Sequence, residues 1–214
     1  MASSEEAFLR RQAASHPRRA TAADAGRTAD TLAAAFANDP VTSWLGRKDA
    51  QRDAGRRRMF GHLVDVLGLG GNELWTADDF SAVALWVPPA FADLRIPIME
   101  ELRLLRTMIG FTGWSGLGRA SAFRQVADRF HPKDQPHFYL MTLGVDPRFQ
   151  GQGLGSSILA ATLAHVDAQH LPAYLESSSP KNVPLYRRHG FEVTAEFRPR
   201  GDGPPVWGMW RTAR

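Results

Sequence analysis

Hydrophobic positions along the chain fall into two kinds of stretch. In one they recur every three to four residues, the period of a helix; in the other they crowd into short runs rich in aromatic and β-branched residues, as strands do. Ala25, Thr28, Leu32 and Phe36 share one helical face, with Asp24 as the predicted N-cap and Asp39-Pro40 as the stop. Met59, Phe60, Leu63, Val64 and Leu67 form the stripe of a second helix over 52–67, closed by the glycines of 68–71. Runs at 73–77 and 81–87, joined by Ala77-Asp78-Asp79-Phe80, read as a hairpin. The spacing then predicts two helices between Ile96 and Phe130, broken by the glycines and serine of FTGWSGLG. Ala173 to Ser178, FEVTAEFR and PVWGMWRT are further strand candidates, and Asn182 opens a short helix that Gly190 ends.

The most informative stretch is His137 to Ser156, HFYLMTLGVDPRFQGQGLGS. An apolar strand runs into Asp146-Pro147, which stops it because proline has no amide to donate. A glycine loop follows and leads into a helix over about 151–169. Strand, glycine loop and helix start present backbone N–H groups and a positive dipole end to an anion. The order of elements mixes hairpins with crossovers. It predicts an α/β fold, a mixed and mostly antiparallel central sheet with helices on both faces. Residues 1–17 read as a loosely held leader and 18–214 as one domain, with a weak edge strand near 18–23.

Composition narrows the function. The formal net charge is +4, and only Lys48, Lys133 and Lys181 among the 26 basic residues are lysine. The cations are scattered among acids with no aromatic-basic ladder, so nucleic acid is not the expected partner. There is no apolar run of transmembrane length and no secretory apolar core at the N-terminus, so the expectation is a cytoplasmic protein without a membrane partner. The absence of cysteine excludes a thiolate nucleophile and Cys-ligated metal. The seven histidines show no metal-ligand spacing and no constellation, and a metal-free site is expected.

The glycine loop is neither GxxxxGK[ST] nor GxGxxG, which argues against triphosphate and dinucleotide chemistry. It matches Gln-x-x-Gly-x-Gly at Gln150, Gly153 and Gly155. Together with LES at 175–177 and Asn-Val-Pro-Leu-Tyr-Arg-Arg-His-Gly-Phe at 182–191, this sequence resembles the GNAT superfamily of acetyl-CoA-dependent N-acetyltransferases. Within it, the likeness is to the branch that acetylates puromycin, and it extends to 31–36, 77–89 and 131–136.

The resemblance implies that the amides of Gln150, Gly151, Gln152, Gly153, Leu154, Gly155 and Ser156 hold the coenzyme A pyrophosphate. It implies that a splayed strand at Leu143, Gly144 and Val145 aligns the pantetheine and points an amide at the thioester carbonyl, where oxyanion charge develops. It also implies that Asn182 touches the coenzyme arm, that Tyr186 protonates the departing thiolate and that Glu176 takes part in catalysis. Asn182 and Tyr186, four residues apart, share a helical face. Glu176 is a lone carboxylate in an apolar strand, expensive to bury unless it is paired or working. A structural role for it, solvent-facing or on the coenzyme side, stays open.

Phe36, Trp44, Phe60, Trp86 and Trp114 are candidates for an apolar acceptor pocket. The expected reaction is direct attack by a primary amine of a small, partly apolar molecule, a puromycin-like aminoacyl nucleoside in particular. Acetylation of a protein lysine or N-terminus, and acyl-CoA binding without turnover, are the alternatives. Whether the protein is a monomer or a homodimer is left open.

Overall fold

A computed structural model describes residues 4–71, 73–91 and 98–214 of the chain. Its centre is a seven-stranded sheet of β1 (Arg18–Arg19), β2 (Leu74–Thr76), β3 (Ala82–Val87), β4 (Phe138–Val145), β5 (Ala173–Ser177), β6 (Glu192–Phe197) and β7 (Val206–Arg211). The strand order is β1-β2-β3-β4-β5-β7-β6, and only β4 and β5 run parallel. The mixed, mostly antiparallel α/β sheet expected from the element order is therefore present.

Helices cover both faces. On one side lie α1 (Ser4–Ser15), α7 (Leu154–Asp167) and α8 (Val183–Arg188). Their Ala14, Ile158, Leu159 and Val183 join Trp86, Phe138, Leu140 and Leu175 of the sheet in one core. On the other side, α2 (Ala25–Ala35) and α4 (Arg52–Leu63) bury Leu32 and Phe60 against Val83 and Leu85. A third cluster joins α3 (Pro40–Leu45) and α6 (Leu117–Phe130) to Phe197 and Val206, with Phe111 of α5 (Ile98–Thr112).

Several expectations are refined. Where a loose leader was read, Ser4–Ser15 form α1 against α7. Its only fully buried described residue is Ala14, so its apolar periodicity is faint. Asp24 stands at the N-cap of α2 as expected, but its side chain makes no capping bond there; the carboxylate accepts from the Thr21 amide and, bidentately, from Arg18 at 2.7 and 2.9 Å. The second helix runs on past Leu63 as a π-helical segment, Val64–Leu69, where Gly68 packs against Leu74 and Leu85. Ile96 and Pro97, at the expected start of the third helix, and the first three residues of the expected leader lie outside the described residues.

The register of β4 positions the site. Trp86 pairs with Leu140 but Leu85 pairs with Thr142, so Met141 is an extra residue, a β-bulge. The bulge resets the alternation. Leu143 and Val145 join Phe138 and Leu140 on the α7 face, while Gly144 turns toward α2. The β4–β5 ladder covers only Phe138↔Ala173, Tyr139↔Tyr174 and Leu140↔Leu175. Beyond the bulge the two parallel strands part, leaving a wedge between Met141–Val145 and Glu176–Ser177.

Candidate active site

The loop after β4 closes one end of this wedge. Gly151 and Gly153 adopt φ of +79° and +86°, the left-handed region that glycine alone enters without steric cost. Gly153 is the N-cap of α7, and Ser157 is the first amide of that helix to donate within the chain, to the Gly153 carbonyl at 3.0 Å. The amides from Gln150 to Ser156 find no acceptor among the described residues. Such an array of free N–H groups at a helix start is a cradle for a phosphate pair.

The side chains of the loop mostly fix its shape. Gln150 Nε2 donates to the Val145 carbonyl at 3.1 Å, pinning the loop to the end of β4. Leu154 is buried in the core and offers the loop only its amide. The Ser156 hydroxyl meets His189 Nε2 at 2.8 Å, and Arg11 of α1 donates to the Gln152 carbonyl at 3.2 Å. Gln152 Oε1 is buried without a partner among the described residues. His189 and Arg11 were invisible to the sequence reading, because their partners are 33 and 141 residues away. Gly144 has a packing reason of its own: a Cβ there would come within 2.8 Å of Leu32 Cδ2 and 3.1 Å of Ala35 Cβ.

On the other strand of the wedge, Tyr174, Glu176 and Ser178 share a face by the period of two. Glu176 is nearly buried, and its two oxygens accept from the hydroxyls of Tyr139, at 3.1 Å, and Tyr174, at 3.4 Å. Burial pushes its carboxyl above the usual range, while the two hydroxyls, which favour the charged form, pull the other way. Burial pushes the Tyr139 phenol up, reinforced by the adjacent carboxylate, and does the same to Tyr174, so both remain donors. The carboxylate is thus paired and faces an opening, which is not the solvent-facing role left open above.

His131 and His137 stand beside it. His131 Nδ1 lies 4.0 Å from Glu176 Oε1, and the two imidazoles meet Nε2 to Nε2 at 3.1 Å. This corrects the reading that the histidines form no constellation. No metal site follows from it; no group of three potential ligands is found among the described residues. Burial and the neighbouring His137 hold His131 down, to a pKa of about 4, so it is neutral near pH 7.

Glu176, Tyr139, His131, His137 and Ser178 line a cavity of about 1600 Å³ whose other walls are largely apolar, from Phe36, Met59, Phe60, Leu105, Met108, Phe111 and Phe123. Phe36 and Phe60, both expected here, pack with ring centroids 5.1 Å apart. The three tryptophans are not among its walls. Trp86 is 1% exposed within the core, Trp44 packs beside α6 with its Nε1 toward Asp202, and Trp114 is 77% exposed. Aromatic spacing alone does not say which way a ring points.

Asp39 also lines the cavity. Its Oδ1 caps α3 through the Thr42 amide, its Oδ2 accepts from the Ser178 hydroxyl, and its charge adds to burial in raising the Tyr186 phenol above its ordinary range. The Tyr186 hydroxyl has no hydrogen-bond partner among the described residues, while its ring packs edge-on to Phe191. Asn182 is exposed, and its side chain makes no cap bond to α8, so its amide group remains available.

Comparison with known proteins points to acetyltransferases. Residues 97–191 match the model of the acetyltransferase (GNAT) family. An uncharacterized N-acetyltransferase of Schizosaccharomyces pombe is 28% identical over 81% of this chain and 73% of its own length. The N-alpha-acetyltransferase RimI of Mycobacterium tuberculosis is 28% identical over 77% of this chain and 82% of its own. A solved structure from Corynebacterium glutamicum, described as histone acetyltransferase HPA2 and related acetyltransferase, superimposes with a TM-score of 0.69 at 28% identity, covering 92% of this chain and 96% of that one. The polyamine N-acetyltransferase of Drosophila melanogaster shares the fold, with a TM-score of 0.58 at 17% identity. By these likenesses the chain is an acetyltransferase, similar to the GNAT family over residues 97–191. No helix among the described residues is long and apolar enough to cross a membrane.

Proposed function

We propose that the protein acetylates the primary amine of a small, partly apolar molecule, with the chemistry centred on the wedge between β4 and β5. The observation that carries this reading is the placement of Glu176. It is a buried carboxylate with two hydroxyl donors, at the mouth of an apolar cavity and across the wedge from the bulged strand.

The residues fit the donor. The free amides of Gln150–Ser156 would hold the pyrophosphate, Asn182 the coenzyme arm, and Leu143, Gly144 and Val145 the wall along which the pantetheine lies. A free amide of β4 beyond the bulge would stabilise charge developing on the carbonyl oxygen. When bound, acetyl-CoA supplies an activated acyl group. Glu176 would take a proton from the acceptor ammonium, and burial raises its affinity for that proton. Tyr186 would give its proton to the sulfur of the broken C–S bond. Burial makes the phenol hold that proton firmly. A sulfur anion in the same dry surroundings gains basicity too, which keeps the transfer feasible.

A puromycin-like aminoacyl nucleoside is the favoured acceptor, supported by the resemblance in sequence and by the size and apolar walls of the cavity. A peptide N-terminus is the second reading, favoured by the likeness to an N-alpha-acetyltransferase. Thiol release from acetyl-CoA, measured with a panel of puromycin, other arylalkyl and polyamine amines and short peptides, separates them. Turnover of small amines supports the first reading, and turnover of peptides alone replaces it with the second.

A further inference from the structure

Resting on the acetyl-transfer reading above, the geometry assigns a further role to two residues. We propose that His131 and His137 carry the proton taken up by Glu176 out to solvent, one per turnover. The accounting requires such an outlet. As the N–C bond forms and the C–S bond breaks, an ammonium nitrogen with three hydrogens becomes an amide nitrogen with one. Of the two protons lost, one replaces the proton Tyr186 gives to the thiol, and the other must leave the site. Glu176 is walled in by Tyr139 and Tyr174, and an acceptor filling the cavity displaces the water in front of it.

The hydrogen bonds fix the direction of the path. The Gln135 carbonyl, an acceptor only, lies 3.0 Å from His137 Nδ1, so that nitrogen carries the hydrogen. When the ring holds that hydrogen alone, His137 offers a lone pair at Nε2, and His131 Nε2, 3.1 Å away, is the donor. Neutral His131 is left with a lone pair at Nδ1, the atom that faces Glu176 Oε1 at 4.0 Å. A proton arriving on Glu176 therefore meets an empty acceptor. Once His131 has taken it, the Nε2 hydrogen passes to His137, His137 releases its Nδ1 hydrogen to water, and both rings reset by tautomer exchange before the next turnover. The 4.0 Å gap exceeds a direct hydrogen bond and closes through a bridging water or on acceptor binding.

The other groups around the pair do not interrupt the path. Burial and His137 keep the proton affinity of His131 low, with Lys133 adding to them and Asp128 of α6 opposing them, which makes His131 a conduit and not a store. The remaining neighbours are Tyr139, Tyr174 and Trp210, whose rings meet the imidazoles edge to face and hold them in place. Because His131 and His137 act through Glu176, they are positioning residues for the base.

Two measurements test the path. The first is thiol release by His131→Ala and His137→Ala with an acceptor the wild type turns over, titrated with imidazole. The expected result is a kcat about tenfold lower, an unchanged KM for acetyl-CoA, and recovery of rate as imidazole is added. Wild-type kcat in both variants, or a loss that imidazole does not restore in folded protein, overturns the proposal. The second, which needs no acceptor, is imidazole ¹⁵N NMR of the full chain. His131 is expected as the Nε2–H tautomer and His137 as Nδ1–H; the opposite tautomer at His131 overturns the path. A wild type silent toward every amine counts against the acetyl-transfer reading, and the NMR result then decides the path on its own.

Discussion

Tyr139 and Glu176 meet at 3.1 Å across the parallel β4–β5 junction, Tyr139 two residues before the bulge at Met141 and Glu176 one residue after the last β5 residue paired with β4. The contact links the fold to the chemistry, because the strands part immediately beyond it. The Tyr139 hydroxyl favours the charged carboxylate against the effect of burial. Tyr139→Phe should raise the proton affinity of Glu176 further and move the acid limb of the kcat/KM profile to higher pH. An unmoved limb would remove Tyr139 from the account.

Glu176→Gln should separate activity from stability. The loss of the base should lower kcat by about a hundredfold or more. Stability should move the other way. The folded carboxyl binds its proton more tightly than the unfolded one, so its contribution is present in full below the unfolded pKa and is lost as pH rises through the folded one. At neutral pH the wild type carries that loss, and the glutamine variant does not. Its Tm at pH 7 should equal or exceed the wild type's, a comparison that thermal unfolding makes directly.

Tyr186→Phe should cost catalysis without costing the fold. The ring is buried and the hydroxyl makes no hydrogen bond to the described residues, so its removal breaks no bond and leaves the contact with Phe191 intact. A kcat lower by about tenfold or more, with unchanged Tm, is the expected pair of results. Full activity would assign the proton to another donor.

Glycines separate backbone need from packing. Gly153→Ala forces a side chain into left-handed backbone, at a cost of about 1–2 kcal/mol, and should weaken acetyl-CoA binding as the loop shifts. Gly155 has ordinary φ, and its Cβ would touch Val145 only at van der Waals distance, so Gly155→Ala should leave stability nearly unchanged. Gly208→Ala probes the active site from behind. It sits opposite Glu176 in β7, and its Cβ would lie 2.8 Å from the Tyr174 hydroxyl. Displacing that phenol should lower kcat with little change in the KM for acetyl-CoA. Steady-state kinetics and thermal unfolding of the three variants check these outcomes together.

Local signals carried much of the fold into the sequence. The hairpin turn at 77–80, the strand that ends at Asp146-Pro147, the glycines at 151 and 153 and the short helix after Asn182 are all set by residues near one another in the chain. The helix α3 was missed because its Asp39-Pro40 start also reads as a helix stop, whereas α2 ends earlier, at Ala35. The bulge at Met141 leaves no trace in an apolar run, since the same residues suit a regular strand. The His131–His137–Glu176 cluster depends on β5 returning beside β4, and no local spacing encodes that return. Trp44, Trp86 and Trp114 show the complementary limit: hydrophobicity predicts burial, but direction is set by tertiary packing.

The most direct test of the central claim is the pH dependence of kcat/KM for an amine acceptor, compared between the wild type and Glu176→Gln. With Glu176 as the base, the wild type shows an acid limb set by this carboxyl, and the variant loses that limb along with about a hundredfold or more of the rate. An acid limb of the same position and depth in the variant would contradict the claim that Glu176 deprotonates the acceptor.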